Sequence, residues 1–163
     1  MKDKFLKAAA ITPDIRVGDT DFNTENIIKA MIEAHKLDVK LAVFPELVIS
    51  GYTCNDLFLQ DILLKGSLDG LKKIIKASEN LDMVTIVGLP FLNNFKLYNV
   101  AAVVVPVGLH QFSGHIRQLL AYTLSADAVG LAQHFRNRLF QVIVVLPHLR
   151  VTGIAAHPGV RHI

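Results

Sequence analysis

The chain has 163 residues, of which 52% are hydrophobic and 19% are charged, and its formal net charge is +3. This length can bury one sizeable core, and the composition is too apolar for an intrinsically disordered chain. Its longest apolar stretches are shorter than the roughly 18–20 residues that a membrane helix needs. The amino terminus also lacks the long apolar segment of a secretory signal. We therefore predict a folded, cytoplasmic protein with no membrane partner.

The residues before position 105 alternate between apolar strands and amphipathic helices, which is typical of a layered α/β domain. The predicted strands are Lys7–Thr12, Leu41–Phe44, Met83–Val87 and Leu97–Val105, and the predicted helices are Thr24–Lys36 and Ser67–Ser78. Asn23 or Asp21 is the expected cap of the first helix. Gly88-Leu89-Pro90 is expected to close the third strand, and Asn93-Asn94 predicts a hairpin to the fourth.

The charged residues divide the chain into two compositionally different pieces. Every lysine and every glutamate lies before residue 97, and six of the seven histidines follow it. We predict one unit over residues 1–105 and a divergent tail over residues 106–163. A shifted reading frame would exchange lysine and glutamate for arginine and histidine in this abrupt way. Our hypothesis is therefore that the tail is frameshifted or otherwise unrelated to the first unit.

The histidines and the arginines of the tail form two further patterns. Its histidines lack the spacing of metal ligands, and its arginines lack the aromatic interleaving of a nucleic-acid surface. These residues are His110, His115, His134, His148, His157 and His162, and Arg117, Arg136, Arg138, Arg150 and Arg161. We predict neither a bound metal nor a nucleic-acid partner. A helix over residues 113–140 and a strand over Val142–Leu146 are the expected elements of the tail.

Glu46 is the candidate catalytic residue. It follows the apolar run Leu41–Phe44 directly after Pro45, which ends a strand because proline has no backbone N–H. A carboxylate just beyond a buried strand is partly removed from water, which favours its use as a general base. The competing interpretation is an ordinary carboxylate on the rim of a sheet. The spacing alone does not decide between the two.

Several segments, in order, carry a family resemblance. They are Ala8–Pro13, Phe44-Pro45-Glu46-Leu47 with Ser50–Asp61, Val84–Pro90 and Lys96–Val103. Together they resemble the nitrilase, or carbon-nitrogen hydrolase, superfamily over roughly residues 4–105. More narrowly, the Gly-Tyr-Thr-Cys-Asn-Asp-Leu-Phe run resembles the amino-terminal glutaminase domain of glutamine-dependent NAD synthetases. The resemblance implies an α/β fold of the nitrilase type, an α-β-β-α sandwich, of which this chain holds a part.

The resemblance also implies a glutamate, lysine and cysteine triad that hydrolyses the side-chain amide of glutamine. Glu46 is the matching general base, and Tyr52 is expected to bind substrate at the rim of the pocket. The position expected for the lysine falls near His115, where there is no lysine. No cysteine follows Cys54, which matches a non-catalytic position and is interpreted as an inert buried thiol. We therefore predict that this chain is inactive alone.

The family resemblance implies a set of partners as well. Glutamine is the expected substrate, and the ammonia released from it passes to a separate carboxyl-terminal synthetase domain. That absent domain would use ATP and Mg to amidate nicotinic acid adenine dinucleotide, whereas this domain needs no cofactor. A homo-oligomer is expected from the family. Two alternatives remain: another carbon-nitrogen hydrolase acting on a small amide or nitrile, and a non-catalytic interaction module built on the half-fold.

Overall fold

The computed structural model describes residues 6–93, 95–105 and 140–145, the last segment by its backbone alone. Its elements are β1 (Ala8–Ala10), α1 (Thr20–Lys36), β2 (Leu41–Val43), a short 3-10 helix (Asn55–Leu59), α2 (Asp61–Ser78), β3 (Val84–Asn93), β4 (Lys96–Val104) and β5 (Phe140–Val145). The strands form one sheet in the order β1-β2-β3-β4-β5. Neighbouring strands are parallel except for the antiparallel pair β3 and β4. The predicted α/β class is confirmed.

Both helices pack on the same face of the sheet. Ile27 and Met31 of α1 and Ile74 of α2 are fully buried against the strands. The strand residues of this core are Ala42, Val87, Leu89, Val100, Ala102 and Val104. A smaller apolar cluster on the sheet holds Val84, Val103 and Val105, packed with Leu41 and Ile86. The described residues therefore supply one helix layer and one sheet of the predicted α-β-β-α sandwich.

The two helices approach each other closely because glycines of α2 face threonines of α1. A Cβ atom at Gly66 would lie 2.5 Å from Thr20 Oγ1, and one at Gly70 would collide with Thr24 Oγ1. Lys73 of α2 also forms an ion pair with Asp21 of α1, with an N–O distance of 2.6 Å. The missing side chains at the two glycines thus leave room for the threonine side chains between the helices.

The first helix begins earlier than predicted. Asp19 is its cap and accepts a hydrogen bond from the backbone N–H of Phe22 at 3.0 Å, so the expectation that Asn23 or Asp21 caps the helix was wrong. Asn23 instead lies inside α1 and is fully buried. Its side chain is hydrogen-bonded to the backbone of Arg16 and Ile49. Such hydrogen bonds to the backbone compensate the burial of a polar side chain.

Two other boundaries differ from the prediction. The second helix begins at Asp61 rather than at Ser67, and this added first turn buries Leu63. Strand β3 continues through Gly88-Leu89-Pro90 to Asn93. The carbonyls of Ile86 and Gly88 accept hydrogen bonds from the residues that follow β2. Because every second residue of a strand points its backbone groups to the same side, the nitrogen of Pro90 also faces that side. It lies beyond the end of β2. A proline that faces an unpaired edge costs the sheet no hydrogen bond.

The hairpin between β3 and β4 is confirmed, with Asn93 paired to Lys96. A strand in the tail is confirmed as well, because β5 pairs in parallel with β4. It begins at Phe140, which was assigned to the end of a helix, and the rest of that predicted helix lies outside the described residues. The proposed boundary near residue 105 stays a prediction. Neither described helix is long and apolar enough to cross a membrane.

The loop after β2 lies directly on β3. Phe44 donates its backbone N–H to Ile86 at 2.9 Å, and Ile49 donates to Gly88 at 3.3 Å. Between these two bonds, a Cβ atom at Gly88 would lie 2.7 Å from the carbonyl oxygen of Pro45 and 2.8 Å from Cα of Glu46. It would also collide with the backbone nitrogen of Leu47. Only glycine at this strand position lets the two backbones touch.

We expect Gly88→Ala to lower the free energy of unfolding by about 1–3 kcal/mol, because a backbone cannot turn away from the new methyl group as a side chain can. Urea denaturation of the 163-residue chain measures this loss. Gly66→Ala is the matched control, since its methyl group meets a threonine side chain and alanine favours the helix by up to about 1 kcal/mol. A loss at Gly88 no larger than the loss at Gly66 would contradict the close backbone contact.

Candidate active site

Glu46 lies in a tight turn that ends β2. Pro45 does not extend the strand because it has no backbone N–H. Leu47, which follows Glu46, has a left-handed backbone conformation with φ of 53°. The carbonyl of Leu47 accepts backbone N–H groups from Ser50 at 3.1 Å and from Gly51 at 2.8 Å. A leucine in this conformation is uncommon and persists where its surroundings hold it. The turn thereby presents the half-buried side chain of Glu46 at the edge of the sheet.

Asn99 of β4 contacts the carboxylate directly. Its Nδ2 group donates a hydrogen bond to Oε1 of Glu46. In the register of the sheet, Asn99 pairs with Pro90, two residues along β3 from the glycine under the Glu46 turn. Its Oδ1 atom is buried and has no hydrogen-bond partner among the described residues. One side chain from β4 thus orients the candidate base and retains an unused acceptor.

An open cleft of about 470 Å³ surrounds this pair. Its described lining is mostly apolar and aromatic: Glu46, Leu47, Tyr52, Phe58, Pro90, Leu97, Tyr98 and Asn99. Glu46 is the one charged residue in that described lining. A concave apolar site with a few convergent polar groups is the usual form of a small-molecule site.

The structure brings the two predicted site residues together. Glu46 and Tyr52 line the same cleft, and Tyr52 is 53% exposed there. Their catalytic and substrate-binding roles stay predictions. The sequence-based reasoning missed Asn99, Phe58 and Tyr98 as cleft residues. An asparagine inside an otherwise apolar strand was the available signal, because a polar side chain in such a place usually has a specific partner.

Cys54 does not line the described part of the cleft. It is 3% exposed, and its thiol donates to the backbone carbonyls of Ser50 at 3.1 Å and Gly51 at 3.3 Å. Burial raises the pKa of the Cys54 thiol, although hydrogen bonds involving Gly18 and Ser50 oppose part of that effect. A buried, protonated thiol is a poor nucleophile. This environment agrees with the inert role expected for Cys54.

The other candidate residues of the tail lie outside the described part of the chain. This applies to His115, which stands near the expected lysine position, and to the remaining histidines and arginines of the tail. Within residues 6–93 and 95–105, no group of three or more metal-binding side chains is placed to hold an ion.

We expect the folded chain to react with iodoacetamide at pH 8 at least about tenfold more slowly than the same chain in urea, because burial protects the thiol and disfavours the thiolate. Mass spectrometry of the alkylated fraction over time measures both rates. Cys54→Ser, which has no thiol, sets the background. Equal rates in the folded and unfolded chain would contradict the inert assignment of Cys54.

Comparisons with known proteins agree with this arrangement. The family description "Carbon-nitrogen hydrolase" matches residues 7–113, which is more than half of the chain. The glutamine-dependent NAD(+) synthetase of Mycobacterium leprae is 35% identical over 100 residues, which cover 61% of this chain and 15% of that protein. The enzyme of the same name from Aquifex aeolicus is 40% identical over 88 residues, which cover 54% of this chain and 15% of the relative.

A solved structure gives the same result for the fold. The crystal structure of a glutamine-dependent NAD(+) synthetase from Cytophaga hutchinsonii superimposes with a TM-score of 0.57 and 28% identity, covering 61% of this chain and 17% of that one. The chain therefore spans less than a fifth of the length of these relatives. Its matched part includes the Glu46 turn, β3 and β4, which together form the cleft. The chain belongs to the carbon-nitrogen hydrolase family.

Proposed function

We propose that this chain carries the base-bearing half of a glutaminase site and does not turn over glutamine alone. The observation that carries the proposal is the position of Glu46, which is held by Asn99 at an apolar cleft in a carbon-nitrogen hydrolase fold. The relatives' shared name, glutamine-dependent NAD(+) synthetase, favours glutamine as the amide. The reaction would convert glutamine and water into glutamate and ammonia.

In that reaction Glu46 would serve as the general base. Amide hydrolysis with a general base and a side-chain nucleophile begins when the base accepts the proton of the nucleophile. The nucleophile then forms a covalent acyl intermediate, and ammonia leaves. Cys54 is the only thiol of the 163 residues, and it is buried with its proton directed at backbone carbonyls. A carboxylate without an accessible nucleophile binds and orients an amide but leaves its C–N bond intact.

The remaining steps belong to a separate unit in this proposal. The match covers about 15% of the length of the relatives from Mycobacterium leprae and Aquifex aeolicus. ATP- and Mg-dependent amidation of nicotinic acid adenine dinucleotide by the released ammonia would take place in a synthetase domain outside this chain. The cleft described above needs neither ATP nor Mg for its own part. The homo-oligomer and the cytoplasmic location also stay predictions.

A non-catalytic association module is the second candidate function. It is favoured by the apolar character of the sheet around β2, where Val43 is 37% exposed and Leu41 is only partly buried. Apolar side chains left open on a sheet face are typical of a surface that another layer covers. In this function the Glu46 cleft would be an inherited feature with no chemical role.

Ammonia release from glutamine tests the catalytic proposal. We expect the purified 163-residue chain to produce no more ammonia than its Glu46→Gln variant, because the one thiol of the sequence, Cys54, is buried. A coupled glutamate dehydrogenase assay measures the product, and Cys54→Ser is assayed beside them. Turnover by the wild-type chain that both substitutions abolish would show that Cys54 is a nucleophile and would contradict the proposed inactivity.

A further inference from the structure

Glu46 brings the one charge of the described cleft lining, and its position among aromatic side chains suits a positively charged ligand as well as an amide. Glu46 brings a carboxylate, and the other described lining residues are uncharged. Asn99 donates one hydrogen bond to Oε1, but an amide group carries no compensating charge. A half-buried carboxylate with no cationic partner in the described lining attracts a positive ligand more strongly than an exposed carboxylate does.

The walls of the cleft favour a particular kind of cation. Tyr52, Phe58 and Tyr98 line it together with the apolar side chains of Leu47, Pro90 and Leu97. Aromatic rings attract ammonium groups through their quadrupole, and apolar side chains accept an alkyl chain. The volume of about 470 Å³ is ample for a ligand with a few carbon atoms.

We propose that this cleft binds small primary alkylammonium ions, with the ammonium group at Glu46 and the alkyl chain against the aromatic and apolar wall. An ammonium group has three N–H donors, and the carboxylate offers several lone pairs of which Asn99 occupies one. The ligand supplies the charge that the described lining lacks. This is equilibrium binding and requires no nucleophile, so it stands or falls independently of the proposed glutaminase function.

Titration of the full 163-residue chain with n-butylammonium and with 1-butanol tests the proposal. Two-dimensional NMR spectra recorded at each ligand concentration give the two affinities. The two ligands have the same number of heavy atoms and differ in charge. We expect n-butylammonium to bind at least about tenfold more tightly at low salt, and the difference to shrink as salt is added. Equal affinities for the two ligands would overturn the proposal, and this comparison needs no variant.

Two variants locate the effect. Glu46→Gln should bring the affinities for the ion and the alcohol to within about twofold of each other, because the charge is removed while the shape is kept. Glu79→Gln, which removes an exposed carboxylate after the end of α2, should leave the preference unchanged. A preference that persists in Glu46→Gln, or that disappears in Glu79→Gln, would overturn the assignment of the site.

A third variant tests the aromatic wall. Phe58→Leu keeps an apolar side chain but removes a ring, and we expect it to weaken n-butylammonium binding about threefold with a smaller effect on 1-butanol. Equal weakening of both ligands, or no change in either, would overturn the role given to the ring.

Discussion

The close contact between the Glu46 turn and Gly88 is the constraint on which the site depends. Because β3 carries no side chain at that point, the backbone from Pro45 to Leu47 rests directly on the strand. The left-handed conformation of Leu47 and the two backbone bonds to its carbonyl then close the turn. Strand β4, paired with β3, delivers Asn99 to the carboxylate. Three neighbouring strands of one sheet thus position the carboxylate of Glu46.

This arrangement places the candidate base at the cleft and leaves Cys54 outside the described part of its lining. The base follows β2, its positioning amide lies on β4, and the two meet because β2, β3 and β4 are neighbours in the sheet. The one thiol lies beyond the turn but faces inward, toward the carbonyls of Ser50 and Gly51. The thiol of Cys54 is therefore buried away from the described cleft lining, and burial also disfavours its thiolate form. In the described lining the carboxylate of Glu46 has no cationic partner, and the proposed alkylammonium site rests on this carboxylate and the aromatic wall beside it.

Local sequence signals predicted the fold better than its boundaries. Apolar runs and amphipathic spacing identified β1 to β4 and both helices, because burial on one face leaves a periodic pattern. Pro90 was expected to end β3, but its position beyond the end of β2 is a tertiary feature that no local pattern contains. Asp19 displaced the expected cap because Asn23 is used to bind the backbone of Arg16 and Ile49. Glu46 stood out by its place after a strand and became the candidate base through the family resemblance. Its contact with Asn99 joins residues 53 positions apart, which no local pattern contains.

The hydrogen bond from Asn99 to Glu46 is the central claim, and NMR of the Asn99 side-chain amide tests it most directly. The resonance is assigned in the 15N-labelled 163-residue chain from its loss in Asn99→Ser. In Glu46→Ala the two amide protons should shift and exchange with water faster, because their acceptor is gone. Glu79→Ala, the control, should leave them unchanged. Asn99 amide signals that are the same in Glu46→Ala and in the wild-type chain would contradict the account of the site.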